Sequence, residues 1–150
     1  MKMEFDRINI SVKDLDQGIE KFSKLFSTTF EKIAFTGPGV KLVPSEQGDP
    51  FHPQGVLLNP PAVSPIGLML MPARAGEKEG IRSISFKVPD LEKAKAEAKA
   101  LGIRHLMDAY WPGGLKEAVF SADDVHGVRL CLVEYSKPVS SLAEAMRGPR

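Results

Sequence analysis

A stretch near the start of the chain is written a second time, and that repetition restricts the fold more than any other feature. Arg7-Ile8-Asn9-Ile10-Ser11-Val12-Lys13-Asp14-Leu15 returns as Ser83-Ile84-Ser85-Phe86-Lys87-Val88-Pro89-Asp90-Leu91, at a constant offset of 76 residues. In both copies polar and apolar residues alternate with period two, the pattern of a strand with one face in a core and the other facing something wetter. Ile8, Ile10 and Val12 answer to Ile84, Phe86 and Val88. Each copy ends at an aspartate suited to cap a helix, Asp14 with Gln17 three residues on and Asp90 with Glu92 in the first turn. A repeat of half the chain implies two copies of one supersecondary unit, neither able to bury its apolar face alone. The functional site is expected where the copies meet.

The two units can be followed along the chain. Leu15, Ile19, Phe22 and Leu25 recur at helical spacing and predict an amphipathic helix over 15–27. Thr29 to Phe35 reads as a strand, with a turn at Thr36-Gly37-Pro38-Gly39 and a hairpin continuation from Val40 to Val43. Between 36 and 64 lie six of the chain's twelve prolines. Proline removes a ladder donor and restricts its predecessor, so Ser45 to Pro53 cannot be a central strand. A loop over 45–65 with a lid or binding role and a plain surface insertion both remain open. Gly55 to Asn59 and Ile66 to Met71 are the next strands, and Pro72 to Gly80 links to the second copy. There Leu91, Ala94, Ala98 and Leu101 give a helix face ended by Gly102. Ile103 to Trp111, Glu117 to Ala122 and Val128 to Tyr135 read as strands. The expectation is a single domain over 1–150, with module one at about 4–73, module two at about 81–136, and a tail over 137–150. In that tail Ser141 and Glu144 form a possible capping box. Docking of its short helix on a partner and fraying are both open, with Leu142 and Met146 available to cover a surface.

Composition narrows the partners. Twenty basic and nineteen acidic residues leave a formal net charge of +1, without the basic footprint of a nucleic-acid binder or the charge for a membrane surface. No apolar run approaches the roughly twenty residues of a bilayer span. The one cysteine, Cys131, excludes an intrachain disulfide, and the N-terminus enters a strand without a signal-peptide pattern. A cytoplasmic protein is expected, with no nucleic-acid and no membrane partner.

The doubled strand-turn-helix with Val12-Lys13-Asp14-Leu15 and Val88-Pro89-Asp90-Leu91, together with the ending His126-Gly127-Val128-Arg129-Leu130-Cys131-Leu132-Val133-Glu134, resembles the vicinal oxygen chelate superfamily. This group holds glyoxalases, bleomycin-resistance proteins and extradiol dioxygenases, and the ending is most similar to its methylmalonyl-CoA-epimerase-like members. The resemblance covers about 4–136. It implies an α+β fold of two βαβββ modules forming a cup-shaped, partly open mixed sheet with the helices outside and ligand on the concave face. Many chemistries share that fold.

Enzymes of the group hold a divalent metal in the cup by a histidine on each module's first strand and a carboxylate on each module's last. Carried over, these positions fall on Arg7 and Ser83, and on Leu68 (Met69 after a slip of one) and Cys131. None of these is a normal ligand for a hard or borderline ion, and a guanidinium would repel one. The expectation is no metal and no cofactor. His52, His105 and His126 have no metal-ligand spacing, although a relocated site built from them and carboxylates is the alternative.

Strand phase then supplies Arg7, Asn9, Ser11, Ser83, Ser85 and Lys87 as candidate ligand-binding residues on the cup face; Asp108, Tyr110 and Trp111, clustered beside a Gly-Gly turn, join them as an aromatic wall with one carboxylate, and Cys131 joins them from the ligand position that the resemblance implies. Arg7 wants a carbonyl-bearing or anionic ligand, or a buried carboxylate such as Glu134 or Asp108; a ligand oxygen is expected in the bound state. Cys131 reads as a small buried hydrophobe, or as a thiolate if Arg7 or Arg129 lies near. Lys87 serves as a cup base if desolvated, or snorkels out. The functional expectation is a metal-independent protein binding an aromatic or carbonyl-bearing molecule. It either sequesters that molecule or catalyses a lyase- or isomerase-type acid–base reaction on it. A homodimer is expected from the family.

Overall fold

The structure, a computed structural model, describes residues 1–35, 39–45, 55–57 and 59–148, with backbone alone at 55–57. Both copies of the repeat are strands: β1 spans Glu4–Val12 and β7 spans Gly80–Lys87. They pair antiparallel at the sheet's centre, with Ile8 opposite Ile84, Arg7 opposite Ser85 and Asn9 opposite Ser83. Ile8 and Ile84 are the same position of the repeat, so a pseudo-twofold axis runs between them. The duplication in sequence is thus a rotation in space.

Each aspartate performs the capping the sequence predicts. The Asp14 carboxylate accepts from the Gln17 N–H at 3.0 Å to start α1, Leu15–Phe26, and Asp90 accepts from Lys93 at 3.1 Å to start α2, Leu91–Ala100. The remaining strands are β2 (Glu31–Lys32), β3 (Val40–Pro44), β4 (Gly55–Leu57), β5 (Ala62–Ser64), β6 (Leu68–Pro72), β8 (His105–Tyr110), β9 (Leu115–Phe120) and β10 (Leu130–Tyr135), followed by the short helix α3, Leu142–Arg147. Among the described residues they form one sheet in the order β2-β5-β6-β1-β7-β10-β9-β8-β3-β4. β6 runs parallel to β1, and β10 parallel to β7. This is the curled α+β sheet expected, and none of its helices is long and apolar enough to cross a membrane.

Three differences from the sequence reading have physical causes. The strand expected over Thr29 to Phe35 shortens to Glu31–Lys32, while Ala62–Ser64 adds a strand too short for periodicity to reveal. The β3–β4 hairpin leaves its own half of the chain and pairs along β8, with Lys41 opposite Tyr110 and Pro44 opposite Met107. It thereby wraps one half over the edge of the other and roofs the concave face. Residues 46–54 of the proline-rich loop, including His52, lie outside the described residues.

That roof inverts the wetness of the two faces. Arg7, Asn9, Ser11, Ser83 and Ser85 are buried, whereas Ile8, Ile10, Ile84 and Phe86 on the outer face are half-buried and Phe5 and Ile81 are 55% and 68% exposed. Helix α1 buries no residue fully, while α2 seats Leu91, Ala94 and Ala98 against Ala118, Phe120 and Leu132. The larger core lies on the concave side, from Ile33 and Met69 across to Trp111, Val119 and Met146.

The tail neither frays nor projects. Ser141 caps α3 by accepting from the Glu144 N–H at 3.1 Å, and Ala143, Ala145 and Met146 are buried in the concave core. The Gly113 N–H donates to the Met146 carbonyl at 3.2 Å, and Arg147 pairs with Glu31 at 3.0 Å. Met146 is therefore spent within the chain and cannot cover a partner.

Candidate functional site

The concave face carries two polar networks with an apolar chamber between them. The first centres on Arg7, which is 0% exposed. Its Nε donates to Asn9 Oδ1 at 2.8 Å, one terminal nitrogen to Asp6 Oδ2 at 2.8 Å, and the other to Glu117 Oε1. Asn9 passes the connection on, donating from Nδ2 to Ser83 Oγ at 2.8 Å and Ser85 Oγ at 3.0 Å. Tyr135 closes the far side, its hydroxyl donating to Asp6 Oδ1 at 2.6 Å. Burial works against the guanidinium's charge, but the Glu117 and Asp6 carboxylates outweigh it and hold Arg7 above its usual range. Burial, with Asp6 as acceptor, pushes the Tyr135 phenol up as well.

Arg7 thus meets carboxylates of the chain itself, where the sequence reading expects a ligand oxygen. The partners are Asp6 and Glu117, and not the expected Glu134 or Asp108. Glu134 accepts instead from the Leu91 N–H at the start of α2, at 2.9 Å. Asp6 was hidden because the β1–β7 register slips between Phe5 and Arg7, a bulge that lets two consecutive side chains serve one network. Glu117 did leave a signal: it shares the inward phase of Leu115 and Val119 on β9.

The second network is built on Arg82. It donates from Nε to Ser11 Oγ and Glu77 Oε2, both at 2.8 Å, from Nη2 to Glu77 Oε1 at 2.7 Å and the Pro72 carbonyl at 3.2 Å, and from Nη1 to Met71 Sδ at 3.0 Å. Burial of the Glu77 carboxyl is overridden by these bonds from Arg82 and Ser11, which hold it at about 2. The pair pins the 73–79 connection to the end of the cup.

Between the networks is a void of about 50 Å³, walled mainly by Leu42, Met69, Met71, Met107 and Trp111, with Glu117 the only carboxylate reaching it among the described residues. Of the candidate binding residues, Arg7, Asn9, Ser83, Trp111 and Cys131 line this chamber. Ser11 and Ser85 lie on the same face, but their hydroxyls are engaged in the two networks. Lys87 sits at the open end, half exposed, 3.8 Å from Glu4 and over the Tyr135 ring, so it is no desolvated base. Asp108 and Tyr110 do not belong to the cup. Alternation on β8 turns Met107, Ala109 and Trp111 inward, which leaves Tyr110 exposed and Asp108 outside with His105 at 2.9 Å and Lys95 at 3.1 Å. Burial, helped by the Glu117 charge, pushes the Cys131 thiol up to about 11, so it is not a thiolate at neutral pH.

The metal-ligand positions can be read from the register. Of the two residues the resemblance offered on β6, Met69 stands opposite Asn9 and lines the chamber, while Leu68 stands opposite Ile8 and faces out. Arg7, Ser83, Met69 and Cys131 offer a cation, a hydroxyl, a thioether and a protonated thiol, a set that does not fit a divalent ion. The relocated alternative gathers no ligands either: among the described residues no three His, Cys, Asp or Glu side chains come together, His105 is on the outer face, and His126 occupies a left-handed turn at φ 52°. His52 lies outside the described residues.

The chain matches no family profile and no curated protein. Solved structures do resemble it. A methylmalonyl-CoA epimerase from Streptomyces coelicolor in complex with 2-nitronate-propionyl-CoA superposes with a TM-score of 0.64 at 21% identity, covering 91% of this chain and 100% of that one. A hypothetical protein from Bacillus halodurans C-125 gives 0.68 at 16% identity, covering 94% and 100%. The epimerase from Mycobacterium tuberculosis gives 0.63 at 16% identity, covering 89% of each. At these identities the likeness concerns architecture, and the chain has the fold of the vicinal oxygen chelate, or glyoxalase-like, superfamily.

Proposed function

We propose that this protein binds a small organic molecule on its concave face without a metal, and that the ion pair between Arg7 and Glu117 stands where related folds place a divalent cation. The observation that carries the reading is the fully buried Arg7 guanidinium, bonded to Asp6, Asn9 and Glu117 at the junction of the two repeats. A fixed cation already fills the electrostatic role, and the donors around it cannot hold a second. Three methionines and Trp111 then offer an adaptable, polarisable wall to an aromatic or carbonyl-bearing ligand. The structural relatives whose complexes contain CoA thioesters support a small carbonyl ligand. Should the protein also catalyse, Glu117 is the one carboxylate reaching the chamber among the described residues for a lyase- or isomerase-type proton transfer. The setting proposed is cytoplasmic, in a single domain of two modules.

The experiment is a thermal-shift panel of small carbonyl and aromatic compounds, run with and without chelator. Chelator is expected to leave the melting temperature unchanged, and elemental analysis to find no stoichiometric Fe, Mn, Ni or Zn. One bound ion per chain, or a chelator-induced fall in melting temperature, would overturn the metal-independent reading.

A homodimer is part of the same proposal. Phe5, Ile66 and Ile81 are exposed beside half-buried Ile8, Ile10, Ile84 and Phe86 on the outer face, around the pseudo-twofold axis. Such a face is costly to leave in water and suits a self-complementary contact. Light scattering is expected to give a dimer mass at tens of micromolar, and Ile81→Lys a monomer. A parent protein that scatters as a monomer would remove the dimer.

A further inference from the structure

Trp111 is the chain's one tryptophan, it is 6% exposed, and its indole Nε1 is the one buried side-chain nitrogen or oxygen without a hydrogen-bond partner among the described residues. A buried N–H left unpaired carries its full desolvation cost, so native proteins rarely leave one without a reason. This one belongs to a side chain that lines the chamber. The other polar groups there are already engaged: Arg7 with Asp6, Asn9 and Glu117, Asn9 with Ser83 and Ser85, and Arg82 with Glu77, while Arg74 and Arg129, which also line the chamber, have partners of their own. The chamber's hydrogen-bonding demand therefore points to Trp111, and Arg7 is the support beneath it.

Resting on the binding reading above, we infer that the chamber takes a small neutral molecule whose carbonyl-type oxygen accepts from Trp111 Nε1–H, with its apolar remainder against Met69 and Met107. An indole N–H donates and carries no charge, so it favours a ketone, ester or thioester oxygen over a cationic or purely hydrocarbon guest. A void of about 50 Å³ is well below the roughly 150 Å³ that takes benzene. The group that enters is thus a few heavy atoms, a small molecule or the carbonyl end of a larger one. Unbranched methionine side chains can re-orient to let that end reach the indole nitrogen.

With one tryptophan, the ¹⁵N–¹H spectrum holds a single indole cross-peak, and the probes are acetone and its hydrocarbon counterpart 2-methylpropene. Acetone is expected to move the indole proton downfield saturably and to perturb the Met69 and Met107 methyl resonances. 2-Methylpropene is expected to perturb the methyls alone. Trp111→Phe is expected to melt at or above the parent temperature, since an unpaired donor has gone, and to bind acetone on the order of tenfold more weakly with 2-methylpropene unaffected. If both probes perturb the methionine methyls and acetone leaves the indole proton in place, the Trp111 assignment is wrong while binding in the cup stands. If neither probe perturbs the methyls up to the limit of solubility, the assignment and the chamber as a binding site both fall. A Trp111→Phe variant that does not fold would contradict an unpaired, dispensable N–H, and the cross-peak titration of the parent protein decides independently.

Discussion

Replacing Arg7 by methionine is expected to destabilise the protein by roughly 3–5 kcal/mol, the range for breaking a buried ion pair from one side. Methionine fills most of the volume, so the loss is electrostatic: two carboxylates, Asp6 and Glu117, keep their burial and lose the cation between them. Asn9 also loses the donor that orients its amide, and with it the links to Ser83 and Ser85 in the other repeat. A ligand-facing arginine would behave in the opposite way, because removing an uncompensated buried charge stabilises the empty protein. Urea denaturation separates the two: a midpoint at or above the parent's would return Arg7 to the role of a ligand donor.

The second large effect is expected at Gly113, in the turn between β8 and β9. A Cβ built there would stand 2.0 Å from the Glu144 carbonyl oxygen and 2.4 Å from the Ala145 carbonyl carbon, both backbone atoms of α3. No rotamer change relieves a clash with backbone, so Gly113→Ala must displace the helix. Displacement gives up the burial of Ala143, Ala145 and Met146 and the bond from the Gly113 N–H to Met146. A cost of about 2–4 kcal/mol is expected, spanning overpacking and the loss of a buried methionine. The 142–147 amides should then exchange with solvent faster than in the parent. Parent-like stability and protection in Gly113→Ala would show that α3 is not held at this turn.

The duplicated strand announced the fold because its information is local and doubled. Period two gave the faces, Asp14 and Asp90 gave the helix starts, and the offset gave the symmetry that now appears as the Ile8–Ile84 pair. What escaped was non-local. The pairing of β3 with β8 joins residues more than sixty apart in different halves, and no pattern within Val40–Pro44 encodes its partner. Without that roof, Arg7, Asn9 and Ser11 read as the wetter face, although they are among the most buried residues in the chain. Within the site, Glu117 was legible from its phase. Asp6 was not, because a bulge breaks the alternation that would have assigned it outward. Grouping Asp108 and Tyr110 with Trp111 failed for the reverse reason: alternation holds on β8, and adjacent side chains cannot share its face. The docking of α3 depends on the missing side chain of Gly113, which a sequence presents only as a turn residue.

Arg7 and Glu117 form a buried ion pair across the two repeats, which we propose stands in the place of a metal. A double-mutant cycle with Arg7→Met, Glu117→Leu and the combined variant tests it in equilibrium denaturation. Each single change should be severely destabilising, because each leaves a buried network out of balance, Arg7→Met by abandoning two carboxylates and Glu117→Leu by removing half of the guanidinium's compensation. The combined variant should recover much of the loss, with a coupling energy of about 2–3 kcal/mol, since an apolar pair of similar volume replaces the ion pair and Asp6 keeps its bond from Tyr135. Additive losses, with coupling indistinguishable from zero, would contradict the pair and leave the concave face without its internal cation.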